Sequence, residues 1–176
     1  MTTSAAAPAV LDAERQDLLA MLAKARFFLR FTVQNLTDEQ AGQRSTASEL
    51  TLGGLIKHVA ATERGWADFL ADPSSMKDMD AMTEADFAQR GLDFQLLPGE
   101  TLAGVLATYQ QVADRTDALV ATVDLNAALT LPAAPWFQES AWSGRRVLMH
   151  IVAETTQHAG HADIIRESLD GQKTMG

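Results

Sequence analysis

Four side chains that can carry chemistry recur along one stretch near the C-terminus: His150, Glu154, His158 and His161. At about 100° per residue, an α-helix places all four on one narrow arc. The same arc holds the aliphatic side chains of the stretch, which are Val147, Ile151, Ile165 and Leu169. Because this arc is the densest apolar stripe of the segment, we expect it to face a protein core. A buried carboxylate beside imidazoles is costly unless it is paired or binds a metal ion.

Glu154 and His158 are one helical turn apart, a spacing at which two side chains converge on one ion. His58 lies at the flank of the apolar stripe of an earlier helical segment. Because packed helices approach to about 8–10 Å, we expect His58 to supply a third ligand from the facing helix. Two histidines and one glutamate leave a coordination position open, the arrangement of a catalytic rather than a structural zinc. Nickel or iron also suits this donor set. The alternative is a hydrogen-bonded network with Glu154 as the acceptor and no metal.

Two further polar features lie on apolar stripes. His150 and His161 share the arc of the predicted ligands and are candidate catalytic residues, either as proton shuttles or as partners of a metal ligand. The alternative for both is a hydrogen-bonded core histidine. Glu63 could likewise orient a ligating imidazole, but the interpretation that we favour is a salt bridge to an inward arginine, Arg26 or Arg30.

An aromatic cluster of Trp136, Phe137 and Trp142 precedes the histidine-rich segment. Together with Trp66, these side chains fit core and rim packing better than a substrate cage. Trp142 and Arg145 are nevertheless the residues that we predict at the rim of a substrate or cofactor pocket, since the loop enters the metal-bearing helix there. The alternative role of Arg145 is that of a solvated surface cation.

The elements that must position these residues are helical. Apolar residues recur at helical spacing in four segments, at 11–36, 51–71, 102–123 and 145–169. The connections are a polar one at 37–48, a long acidic one at 73–99 with a short helix near 83–90, and an irregular one at 125–143.

No alternating β pattern of useful length appears. Four amphipathic helices can bury their stripes only against each other, so we predict one all-α four-helix bundle over 9–176. The long connection between the second and third helices permits a crossover.

Composition limits the classes of function. The 176 residues include 14 Lys plus Arg and 23 Asp plus Glu, a net charge of -9. Such a surface repels phosphate backbones and anionic lipids, so neither nucleic acid nor membrane is an expected partner. The chain has no cysteine, so any thiol chemistry needs a thiol cosubstrate. We expect residues 1–8 to form a loose tail rather than a signal sequence, which predicts a cytoplasmic protein. We expect this protein to be a monomer or a homodimer.

Two stretches, TLGGLIKHVAATERGW and LMHIVAETTQHAGHADIIRESLDG, resemble the DinB-like superfamily of metal-binding four-helix bundles. That superfamily usually has one histidine on helix two and His-x3-His on the last helix, whereas this chain has Glu-x3-His. This Glu-x3-His motif resembles that of one branch of the superfamily, the mycothiol-dependent maleylpyruvate isomerases and mycothiol S-transferases. The zinc ligands of that branch are His, Glu and His. The resemblance implies an up-down-down-up bundle, the ligands His58, Glu154 and His158, and mycothiol as the thiol. Isomerases of this branch often carry an additional C-terminal domain, so we expect a stand-alone S-transferase.

The leading hypothesis is therefore a zinc-dependent transferase that joins a low-molecular-weight thiol such as mycothiol to an electrophilic small molecule, a detoxification reaction. Metal coordination would lower the pKa of the thiol and supply a thiolate nucleophile. One alternative is a metal-dependent hydrolase with water at the open position. The other is a metal-binding stress-response bundle without catalysis.

Overall fold

The computed structural model describes residues 11–175, so the predicted tail at 1–8 lies outside the described residues. The described chain is mostly helical, as predicted. Its elements are α1 (Ala13–Phe31), α2 (Asp38–Gly42), α3 (Leu52–Ala71), α4 (Glu84–Leu92), α5 (Leu102–Thr122), β1 (Ala128–Thr130), β2 (Ala141–Ser143) and α6 (Gly144–Asp170). No helix among these is both long and apolar enough to cross a membrane.

The long helices begin where a side chain can cap their free N–H groups. Asp12, Thr51, Thr101 and Ser143 each accept a hydrogen bond from a backbone N–H in the first turn of α1, α3, α5 and α6, respectively. The helix α6 ends at Gly171, whose φ of 81° is the left-handed conformation that glycine adopts freely. These local signals explain why the predicted helix starts lie within a few residues of the observed ones.

The first helix ends at Phe31 rather than at residue 36 as predicted. Apolar spacing continues beyond its end, because Val33 is buried in the core although it lies in a turn. In a continued helix, the carbonyl oxygens of this turn would accept hydrogen bonds from backbone N–H groups of the next turn. Here Arg166 on α6 donates to the carbonyls of Thr32 and Gln34 instead, at 2.7 and 2.9 Å. Periodicity alone therefore overestimated the length of the helix.

Contacts between helix ends define the direction of each helix in the bundle. Arg145, near the start of α6, pairs with Glu14 near the start of α1, and Arg166 reaches the chain just beyond the end of α1. The helices α1 and α6 are therefore parallel. Lys57 near the start of α3 pairs with Glu100 just before α5, and later along both helices Arg115 pairs with Asp68, so α3 and α5 are also parallel.

The remaining neighbours are antiparallel. His58, early in α3, packs against His158 late in α6, whereas Trp66, late in α3, packs against His150 early in α6. Arg30 at the end of α1 donates to Gln110 in the first half of α5. The four long helices therefore follow the up-down-down-up order that the family resemblance implied.

The connections contain more regular structure than the prediction gave them. The short helix α2 lies in the polar connection at 37–48, where Thr37 and Gln40 form a capping box. The stretch at 125–143, predicted to be irregular, contains β1 near its start and β2 at its end. The two strands pair antiparallel, with Leu129 opposite Trp142. Strands of three residues are too short for an alternating pattern to reveal them. The predicted short helix near 83–90 is α4.

A buried polar layer crosses the bundle between two apolar clusters. One cluster includes Leu29 and Val59, and the other includes Leu22 and Trp66. The buried polar residues between them, one on each long helix, are Arg26, Glu63, Thr116 and Thr155.

Arg26 and Glu63 form the charged part of this layer. The guanidinium donates to both carboxylate oxygens, at 3.2 and 2.5 Å, and a third donor reaches Asp117 at 2.8 Å. The side chain of Glu63 is 1% exposed. Burial lowers the pKa of Arg26, but hydrogen bonds and charges from the two carboxylates reverse that shift and raise the pKa above its usual value. The salt bridge favoured for Glu63 is confirmed, with Arg26 as the partner.

We predict that Glu63→Gln lowers the free energy of unfolding by about 3–5 kcal/mol, because it leaves the buried Arg26 guanidinium without its main counter-charge. Urea denaturation followed by circular dichroism measures this difference. The matched control is Asp68→Asn, which breaks the exposed pair with Arg115 and should cost less than about 1 kcal/mol. Equal losses in the two variants would contradict the assignment of Glu63 to a buried ion pair.

Candidate metal centre

The packing of α3 against α6 brings together the three residues predicted as metal ligands. One donor atom from each of His58, Glu154 and His158 lies within 4.8 Å of the other two. All three side chains are partly buried rather than exposed. Zinc holds nitrogen and oxygen ligands at about 2.0–2.2 Å, so donors at this spacing can converge on one ion through small side-chain rotations.

The carboxylate of Glu154 lies between two imidazoles, one helical turn away on either side. Its Oε1 is 3.7 Å from Nε2 of His150, and its Oε2 is 3.8 Å from Nε2 of His158. Both distances are longer than a hydrogen bond. The carboxylate oxygens are therefore not committed to the histidines, and Glu154 retains lone pairs for a cation. This geometry fits a metal better than the alternative of a satisfied hydrogen-bonded network.

The protonation of the histidines also suits a metal. Burial and the neighbouring imidazole of His158 lower the pKa of His58 to about 4. Burial lowers the pKa of His158 as well, although the charge of Glu154 opposes that shift. Both rings are therefore neutral near pH 7, the form that ligates metal ions. In addition, Nδ1 of His158 is buried with no hydrogen-bond partner among the described residues.

An aromatic ring that the sequence did not single out covers His58. The rings of Phe94 and His58 stack with centroids 3.8 Å apart and planes 19° apart. This approach depends on Gly54, because a Cβ atom there would overlap the carbonyl oxygen of Phe94. Gly54 lies one helical turn before His58, and the chain at Phe94 fills the space that its missing side chain leaves. The signal that could have found this contact is the Gly53-Gly54 pair inside an apolar helix.

The other two histidines flank the three donors differently. His150 packs edge-on against Trp66 and Trp142, with centroids 4.7 and 5.1 Å away, and burial lowers its pKa despite the opposing charge of Glu154. His161 is exposed, and its ring lies 5.5 Å from that of His158. Their roles as proton shuttles or as partners of a metal ligand remain predictions.

The two predicted rim residues make their observed contacts with other side chains than the three donors. Arg145 pairs with Glu14 and donates to Asn126. Trp142 is buried, and its ring stacks on that of Trp66 with centroids 5.2 Å apart. Trp66 in turn lines a cavity beside the candidate centre. Neither Arg145 nor Trp142 is among the described residues that line this cavity. A binding role for either remains a prediction.

The cavity has a volume of about 620 Å³ and reaches the candidate centre at His58. Its walls come from α3, from the connection at 73–99 and from the loop at 125–143. Among the lining residues are His58, Trp66, Met76, Met79, Met82, Phe94, Trp136 and Phe137. The sequence analysis predicted the loop at the rim of a pocket but treated 73–99 only as a connection. The methionines of that segment were the available signal, since Met side chains adapt to irregular binding surfaces.

Comparison with known proteins identifies the family of this chain. Residues 17–171 match the family model described as Mycothiol-S-transferase. The chain belongs to the mycothiol S-transferase family. This match covers most of the chain and all three candidate ligands, and it confirms the resemblance seen in the two sequence stretches. No match is found among curated proteins.

Gly54→Ala is predicted to destabilise the protein by about 1–3 kcal/mol, because the new Cβ atom must push the backbone of Phe94 off His58. Gly65→Ala is the matched control in the same helix. A Cβ at Gly65 would meet nothing within 4 Å, so the change should be neutral or stabilise by up to about 1 kcal/mol. Thermal or urea unfolding distinguishes the two. If Gly54→Ala proved as harmless as Gly65→Ala, the close packing of Phe94 would be wrong.

Proposed function

We propose that this protein is a metal-dependent transferase that joins the sulfur of mycothiol to an electrophilic small molecule. The observation that carries the proposal is the convergence of His58, Glu154 and His158 in a member of the mycothiol S-transferase family. Two neutral imidazoles and a carboxylate form a donor set that suits zinc and leaves a coordination position free. Such a reaction would detoxify the electrophile, and we expect it to take place in the cytoplasm.

The three donors would hold the metal, each from a fixed position. His58 is oriented by its stacking on Phe94, and Glu154 and His158 lie one turn apart on a single rigid helix. When bound there, zinc would supply a Lewis acid that lowers the pKa of a coordinated thiol, so that a thiolate forms near pH 7 without a protein cysteine. Glu154 also reduces the net positive charge of the site.

The other two histidines are suited to take the proton that the thiol loses. His161 is exposed and adjacent to His158, so it can pass a proton to solvent. His150 is more enclosed, between two tryptophans and 3.7 Å from Glu154. In that position it can steady the carboxylate. We therefore assign proton transfer to His161 and positioning of Glu154 to His150.

The electrophile would approach from the cavity at His58. The aromatic side chains and the methionines there provide an apolar, adaptable surface. Bringing the electrophile and the sulfur together in one pocket supplies the proximity on which a bimolecular transfer depends.

The test is thiol consumption with mycothiol and 1-chloro-2,4-dinitrobenzene, in the zinc-loaded protein. His158→Ala should lower the rate by more than about a hundredfold, since removing even an outer partner of a metal ligand often costs 10–100-fold. Gln157→Ala, an exposed neighbour on α6, is the control and should leave the rate unchanged. A His158→Ala protein that transfers mycothiol at the wild-type rate would rule out the proposed site.

A further inference from the structure

The segment at 94–100, which joins α4 to α5, packs against the start of α3 beside His58, and we call this segment the strap. Two consecutive glycines of α3, Gly53 and Gly54, permit the approach, because a Cβ atom on either would overlap atoms of the strap. The ring of Phe94 stacks on the imidazole of His58. The strap therefore fills a notch in α3 and covers one candidate metal ligand.

Two charged side chains fasten the strap. Lys57, the residue before His58, donates from Nζ to the carbonyl of Gln95 at 3.2 Å and to Oε2 of Glu100 at 2.7 Å. The same Oε2 accepts a hydrogen bond from the backbone N–H of Leu97 at 2.8 Å. In addition, the N–H of Glu100 donates to the carbonyl of Leu97 at 2.9 Å and closes a turn. Both ends of the strap are thus joined to one lysine of α3.

The ion pair between Lys57 and Glu100 is shielded from water. The two side chains are 15% and 33% exposed, whereas those of Arg115 and Asp68, the other pair between α3 and the α5 side, are 50% and 39% exposed. The N–H of Leu97 and the charge of Lys57 lower the pKa of Glu100. Water and salt weaken exposed pairs most, so the pair at the strap is the better suited to hold a fixed geometry.

We propose that Lys57 and Glu100 are positioning residues for the candidate metal centre, because they hold the strap in place and thereby keep Phe94 stacked on His58. A ligating histidine is usually oriented by a hydrogen bond to its second ring nitrogen. Stacking with centroids 3.8 Å apart is another way to fix the plane of the ring. The inference rests on the proposed function for the metal, but the stacking can be measured without one.

The first experiment is proton NMR of the metal-free protein near pH 7. Protons held above an aromatic ring resonate upfield, so a C–H resonance of the His58 imidazole should be shifted upfield. Its loss in His58→Gln assigns it. Lys57→Met keeps an unbranched apolar stem but removes the donors, and it should move the resonance toward its position in Phe94→Ala.

Arg115→Met is the matched control, because it breaks the exposed pair with Asp68 and leaves the strap untouched. The His58 resonance should keep its wild-type position in this variant. A Lys57→Met protein with the wild-type resonance, or an equal displacement in Arg115→Met, would overturn the inference.

A conservative variant tests Glu100 separately. Both donors, Lys57 Nζ and the N–H of Leu97, meet the single oxygen Oε2. The amide of Glu100→Gln still offers one carbonyl oxygen that can accept from both, whereas Glu100→Ala offers none. The upfield shift should be lost in Glu100→Ala and largely kept in Glu100→Gln. The reverse order, or no change in either variant, would contradict the role of Glu100.

The second experiment measures zinc affinity by competition with a chelator. Lys57→Met should weaken zinc binding about tenfold, the lower end of the effect of residues that orient a metal ligand. The double variant Lys57→Met/Phe94→Ala should bind zinc no more weakly than Phe94→Ala, because both changes act through one contact. Arg115→Met should bind zinc like the wild type.

Two results would overturn the positioning role: wild-type affinity in Lys57→Met, or losses that add up in the double variant. If the wild type itself binds no zinc, the proposed function fails instead. The NMR experiment then still decides whether Lys57 and Glu100 hold Phe94 on His58.

Discussion

The antiparallel packing of α3 against α6 is the contact on which the candidate centre depends. His58 lies on one helix and Glu154 and His158 on the other, so a shift of one turn in either helix, about 5.4 Å, would separate the donors. Glu63 lies five residues after His58 on α3, and its buried pair with Arg26 joins α3 to α1. Because a buried charge without its partner is costly, this pair resists a shift of α3 relative to α1. The helix α6 packs against both α1 and α3, so the pair also limits the movement of α3 relative to α6.

The cavity lies between α3 of the bundle and the two long connections. The chain after α4 returns to the start of α3, where Gly54 permits the backbone of Phe94 to approach closely. The loop at 125–143 is joined to the other connection by two hydrogen bonds, from Met79 to the carbonyl of Ala133 at 2.9 Å and from Ala133 to Asp78 at 2.7 Å. The two connections thus form one wall. The helices supply the metal donors, and the connections supply the space in which a ligand would meet them.

Most of the framework could be predicted from the sequence, because amphipathic periodicity and helix caps are local properties. The four long helices and the fold class follow from them, as does the salt bridge of Glu63 with an inward arginine. The early end of α1 could not be predicted, since Arg166, distant in sequence, binds the carbonyls that the helix leaves free. The stacking of Phe94 on His58 was equally inaccessible, because it joins residues whose proximity only the folded chain creates. Spacing along one helix predicted the grouping of Glu154 with His158, and the place of His58 at the flank of an earlier apolar stripe, together with the family resemblance, indicated it as the third member.

Metal content is the most direct test of the central claim that His58, Glu154 and His158 hold one ion. Elemental analysis should be made on purified wild-type protein and on Glu154→Ala, with Glu167→Ala, an exposed glutamate on the same helix, as the control. We predict about one equivalent of zinc in the wild type and the control, and its loss from Glu154→Ala. Wild-type protein that binds no metal after reconstitution, or a Glu154→Ala protein that keeps its zinc, would contradict the claim.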